Sequence, residues 1–154
     1  MLAGFNVSRK QVLETVLRVP MEYALDRQTV SAKVTIQPIN TDLHLVNFRN
    51  LPFFKIIISL GTVSDMTYVE ANKQYQPISP LFSRKGNLVE SEWFSTHTVV
   101  QAQEFELQFP EDMRLLSEDV SLVLGVGVEF GNSGFDGKPV GVKYTGCGKV
   151  VAVK

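Results

Sequence analysis

Two histidines, one cysteine and one glycine-rich polar loop are the groups from which this chain could build chemistry. His97 stands in Ser95-Thr96-His97-Thr98, where a hydroxyl could lie beside an imidazole, the pairing that a small hydrolase needs. His44 follows Asp42 by two residues, so a shared strand face would let the carboxylate orient the imidazole as a base. The plainer reading of both is a solvated residue on a strand or loop. No Gly-x-Ser-x-Gly turn is present to raise a serine nucleophile. Cys147, between Gly146 and Gly148, has flanks small enough to expose it, with Lys143 and Lys149 the nearest cations. A buried inert thiol or a passive surface thiol is the alternative to a nucleophile.

The stretch Gly131-Asn132-Ser133-Gly134-Phe135-Asp136-Gly137-Lys138 gathers side-chain oxygens on Asn132, Ser133 and Asp136 that could contact a calcium ion. One carboxylate is meagre provision for a site that collects about six or more oxygens, so the loop reads first as a hairpin connection. A zinc site would have to borrow carboxylates from distant parts of the chain. Gly125-Val126-Gly127 lacks the third glycine and the following helix of a phosphate-binding loop. No cofactor is expected. The aromatics with polar neighbours are Trp93 and Phe94, beside Glu92 and Ser95, and Tyr68 and Tyr75, beside Glu70, Gln74 and Gln76. Exposed, they could stack on sugar rings or anchor a protein partner; the alternative for Trp93 is a place in the core.

The elements that must position these groups show themselves as period-two alternation. In Thr29–Gln37 the residues Val30, Ala32, Val34 and Ile36 share one face. Glu104–Phe109 places Phe105, Leu107 and Phe109 inward, and Pro110 stops the strand by removing a backbone donor. Ser121–Phe130 carries Leu122, Leu124, Val126, Val128 and Phe130 on one face. Its other face holds Gly125 and Gly127, an invitation to close approach by a backbone or a large aromatic. Phe53–Leu60 reads as a central strand buried on both faces apart from Lys55. Val140–Tyr144 and Lys149–Val153 are expected strands separated by a kink at Gly146-Cys147-Gly148.

An edge strand is compatible with Gly86–Val100, where Val89, Ser91 and Trp93 oppose Leu88, Glu90, Glu92 and Phe94. Asp65–Glu70 is a short strand candidate, and Asn72–Ser83, with Pro77 and Pro80, is expected as a surface loop. Ser8 with Gln11 fits a capping box, which predicts a short helix over Ser8–Leu17, although alternation through Leu13, Thr15, Leu17 and Val19 permits a strand. Pro110-Glu111-Asp112-Met113 has the proline and acids of a helix start. The whole predicts one all-β domain over residues 1–154, an antiparallel sandwich of immunoglobulin-like type with one or two short helices and residues 1–19 as an N-terminal arm.

At 154 residues the chain is long enough to bury roughly 70% of its unfolded surface, and 44% hydrophobic against 20% charged residues makes it a folding composition. A net charge of −1 without a Lys/Arg run argues against nucleic acid as a partner. The N-terminus lacks the basic and apolar regions of a secretory signal. The apolar stretches fall far short of the ~20 residues that span a bilayer, which argues against membrane insertion. A single cysteine forms no intramolecular disulfide and suits a reducing compartment; the cytoplasm or an assembled particle is the default location.

From Pro20 onward the chain resembles the C-terminal immunoglobulin-like domain of a family of bacterial proteins with no assigned activity. The likeness is carried by Asp26-Arg27, Val34-Thr35-Ile36-Gln37-Pro38, Phe54-Lys55-Ile56-Ile57, Tyr68-Val69-Glu70, Ser121–Phe130 and Val150-Val151-Ala152-Val153. These are strand and turn residues, so the resemblance implies a fold and no activity. The chain departs from the family in lacking its common N-terminal part and in having an insert at Lys73–Glu90. The function expected is that of a non-catalytic structural or protein-interaction domain, assembling with itself or within a bacterial surface or virus-like particle. A carbohydrate-binding module using Trp93, Phe94 and Tyr75 is the alternative, and a small hydrolase using His97 or His44 the third.

Overall fold

A computed structural model describes residues 2–110 and 116–154. Alternation becomes two facing antiparallel sheets. The smaller has the order β1-β2-β10, from β1 (Met21–Asp26), β2 (Ser31–Ile36) and β10 (Gln103–Gln108). The spine of the larger is the long pairing of β4 (Phe53–Ser64) with β11 (Val120–Ser133), which runs from Phe53↔Gly131 to Ser64↔Val120. On the far side of β4 lie β7 (Gly86–Glu90) and β8 (Phe94–Ser95); on the far side of β11 lie β12 (Pro139–Gly141) and β13 (Cys147–Val153). Among the described residues the small pairs β3 (Ile39–Asn40) with β9 (Val99–Val100), and β5 (Met66–Val69) with β6 (Gln74–Pro77), complete the strands. The all-β sandwich expected from the alternation is what forms, with two four-residue helices among the described residues, α1 (Leu13–Val16) and α2 (Thr41–His44).

The core lies between the sheets, where the inward residues meet. Phe54, Ile56, Ile58 and Leu60 of β4, Leu122 to Phe130 in alternation on β11, Val34 and Ile36 of β2, and Phe105 and Leu107 of β10 belong to one buried cluster. Each such side chain removed from water stabilises the fold by about 1.5–3 kcal/mol before chain entropy is counted. On β4 burial strictly alternates, so this strand is buried on one face and half-buried on the other, not buried on both as expected. It also runs four residues past Leu60, because Thr62 and Ser64 occupy inward positions and satisfy their hydroxyls locally. Thr62 Oγ1 donates to the Phe82 carbonyl at 2.6 Å and Ser64 Oγ to the Asp65 carbonyl at 3.0 Å.

Several expected boundaries shift for identifiable reasons. The strand expected from Thr29 begins at Ser31, because Asp26 Oδ1 accepts from the Gln28 amide and the chain turns through Val30, buried at φ 48°. That left-handed conformation is costly for a β-branched residue and is held by complete burial. The helix expected over Ser8–Leu17 contracts to α1. Ser8 Oγ does accept from the Gln11 amide at 3.3 Å, yet the flanking backbone bonds elsewhere, Val46 N–H to the Val16 carbonyl among them. Neither of the readings weighed there describes the whole segment.

The edge strand expected through Trp93 stops at Glu90, because Ser91 Oγ accepts from the Ile56 amide at 2.9 Å and turns the chain. Asn72–Ser83 is not a plain loop: it contains β6 and a 3₁₀ turn at Pro80–Phe82. The strand expected at Val140–Tyr144 is the shorter β12, and Tyr144 lies exposed at φ 62°. No kink separates it from a strand at Lys149, since β13 starts at Cys147 itself. Of the helix start expected at Pro110–Met113, everything after Pro110 lies outside the described residues. Among the described residues no helix is long and apolar enough to cross a membrane.

Candidate functional site

The outward face of the larger sheet is the place where the fold leaves room. Residues that alternate with the core side chains line it: Ile57 and Ser59 on β4, Gly125 and Gly127 on β11, Gly148 on β13 and Leu88 on β7. Gly127 pairs with Gly148 and Gly125 with Ser59, so the floor is backbone over several adjacent positions. The result is an open groove of about 850 Å³. Its walls are the segment Val7–Gln11 along one side and the Val142–Gly148 stretch at one end. The floor cannot be filled freely: a Cβ on Gly127 would stand 3.0 Å from the Cys147 carbonyl oxygen. Arg9, Lys10 and Lys143 stand on its rim, and among the described residues none of them has a carboxylate within ion-pair reach.

A charged cluster closes the groove beyond Ile57. Lys55 Nζ lies 2.8 Å from Glu90 Oε2 and 3.1 Å from Glu129 Oε2, and 4.8 Å from the centroid of the Trp93 ring. Burial opposes the ammonium charge, but the hydrogen bonds to Glu90 and Glu129 outweigh it and hold the Lys55 pKa above its ordinary value. Trp93 is half-buried and lies over Gly131, where a Cβ would meet the ring at 2.7 Å. The glycine is therefore the seat of the indole. This aromatic serves as a lid on the sheet rather than as a free stacking platform.

The structure separates the aromatics that sequence spacing grouped. Phe94 packs against Phe54 with ring centroids 5.6 Å apart, at the start of β4. Tyr68 and Tyr75 meet edge to face at 5.2 Å on the β5–β6 hairpin, beyond the other end of β4. At ~3.3 Å per residue the length of β4 puts roughly 30 Å between the pairs, too far for one sugar-binding surface. The two histidines lie on different segments. His44 is on α2 and its Nδ1 accepts from the Asn40 amide at 3.1 Å, which makes it a brace for the turn. Among the described residues Asp42 and His44 share no side-chain hydrogen bond; the Asp42 amide donates to Asn40 Oδ1 at 3.1 Å. His97 is exposed, with its backbone amide donating to Ser95 Oγ at 3.2 Å.

In the polar loop two of the three side chains considered for calcium, Asn132 and Asp136, accept hydrogen bonds within the hairpin. Asn132 Oδ1 accepts from the Ser133 amide at 2.9 Å and Asp136 Oδ1 from the Lys138 amide at 3.1 Å. Among the described residues no cluster of three His, Cys, Asp or Glu side chains could hold a metal ion. Cys147 is 7% exposed, and burial pushes its thiol up to about 11 from an ordinary 9.0. A neutral, shielded thiol is a poor nucleophile. A disulfide reagent at pH 8 is therefore expected to leave native Cys147 untouched and to modify it fully once the chain is unfolded; rapid reaction of the folded protein would contradict this placement.

The groove itself escaped sequence reasoning in part. The glycines on the outward face of β11 were visible as an invitation to close approach, but nothing in the sequence showed that no neighbour accepts it. Gly148 and the Val7–Gln11 wall join the site only through β13 pairing. Comparison with protein-family models, with curated proteins and with solved structures finds no significant match to this chain.

Proposed function

We propose that this chain is a non-catalytic protein-interaction domain that assembles with itself, as a building block of a larger particle such as a bacterial surface or virus-like assembly. The observation that carries the reading is the open groove over Gly125, Gly127 and Gly148, apolar at its floor and cationic at its rim. Backbone floors let a partner's side chains approach closely, and an apolar centre with a charged rim is the usual anatomy of a contact patch. Exposed apolar residues continue around it, with Leu88 at 56% and Val63 at 42% exposure. Exposed apolar surface of this kind supports the reading of a contact face.

The test is the mass of the wild-type protein by light scattering from micromolar to near-millimolar concentration, beside Leu88→Arg. Leu88 is exposed on an edge strand, so the substitution adds a further cation to the groove without disturbing the core. Association is expected in the wild type and should weaken at least about tenfold in the variant, equivalent to about 1.4 kcal/mol. A protein that stays monomeric throughout would overturn the proposal.

A further inference from the structure

The free edge of β13 is occupied by the first residues of the chain. β11 takes one side of β13; on the other, Gly4 N–H donates to the Val150 carbonyl at 2.8 Å, Val150 N–H to the Phe5 carbonyl at 2.9 Å and Val7 N–H to the Gly148 carbonyl at 2.8 Å. Asn6 and Lys149 form an antiparallel bridge in the same register. The attachment is made almost wholly by main chain. Phe5 is 59% exposed and Val7 70%, so the arm leaves its apolar side chains in water while it satisfies the backbone of an edge strand.

We infer that Gly4–Val7 is an exchangeable strand that docks on β13 of a second copy of this chain, so that Val7 of one copy walls the groove of the other. Main-chain pairing of this kind does not distinguish the arm of the same chain from that of a neighbour. The connector after it is short and lightly held: Ser8 Oγ accepts from the Gln11 amide at 3.3 Å and Asn6 Oδ1 from the Leu13 amide at 3.4 Å. Segments secured by few hydrogen bonds open most readily. Exchange of an identical element is a low-cost route to a symmetric dimer. It also explains the exposed Phe5 and Val7, which gain cover when two copies come together around crossed arms.

This inference rests on the proposed self-assembly, and its experiment keeps the two apart. Phe5→Cys with Val150→Cys, in a Cys147→Ala background, places two thiols beside each other across the arm–β13 ladder. Refolding and oxidation at increasing protein concentration should yield a growing share of reductant-sensitive covalent dimer on a non-reducing gel. Intrachain bonds alone at every concentration would overturn the exchange, and if the wild type still associates, the groove reading survives it. Val7→Pro, which removes the amide that bonds Gly148, is the second variant. It should abolish the dimer seen by light scattering; a dimer of unchanged affinity would overturn the inference. Leu88→Arg should leave the arm-linked disulfide in place, separating contact through the groove from contact through the strand.

Discussion

Phe54→Ala lowers the free energy of unfolding by about 3–5 kcal/mol, the range for truncating a fully buried aromatic. Phe54 has no exposed surface and sits opposite Phe130 in the β4–β11 ladder, with Phe94 tilted against it. Its loss removes the apolar transfer term and opens a cavity where both paired strands are already fixed by backbone bonds, so the walls relax little. For a domain whose total stability is typically about 5–15 kcal/mol, roughly a fifth or more would disappear. Urea denaturation measures it, and a loss below about 1 kcal/mol would show that the two sheets do not close over this residue.

The second large effect is at a polar side chain. Arg27 donates through Nη1 to the carbonyls of Val120 and Lys154 and through Nη2 to that of Ser117, the last two at 3.1 and 3.0 Å. The turn between β1 and β2 is thereby tied to the start of β11 and to residue 154. Hydrogen bonds from a charged donor contribute about 1.5–3 kcal/mol each, and two of these are exposed to solvent, so Arg27→Ala should cost about 2–4 kcal/mol in total. A lysine cannot fork to several carbonyls at once, so Arg27→Lys should recover less than half of the loss. Chemical denaturation of the three proteins gives the comparison, and equal stability of Arg27→Ala and wild type would refute it.

Arg27 shows how unevenly sequence speaks. Asp26-Arg27 stood out as part of a strand-and-turn pattern, yet the carbonyls it binds lie 90 or more residues away along the chain. Ala32, Val34 and Ile36, or Leu122 through Phe130, were readable because alternation is a local consequence of strand geometry. Thr62 and Ser64 were not, since a hydroxyl in an inward position looks outward-facing until its carbonyl partner is known. α1 shrank because tertiary pairing of its flanks competed with a capping signal that Ser8 and Gln11 partly fulfil.

The candidate site divides along the same line. Trp93, Phe94, Tyr68 and Tyr75 were chosen for their polar neighbours, a one-dimensional criterion, and the fold sends them to opposite ends of β4. Arg9, Ser59, Gly127 and Gly148 share no sequence neighbourhood, and only the β4–β11–β13 register brings them to one groove.

Sequence alone determined that this chain is an all-β sandwich with a core of alternating aliphatic residues, because period-two burial is written in consecutive residues. It determined also that the outward face of β11 is bare at Gly125 and Gly127. Whether a neighbour would cover that face was decided only by tertiary structure. Coverage depends on which strands pair, where the arm of residues 4–7 lies and where Trp93 falls after the chain turns at Ser91. Those are consequences of contacts between distant residues, and the open groove is what they leave.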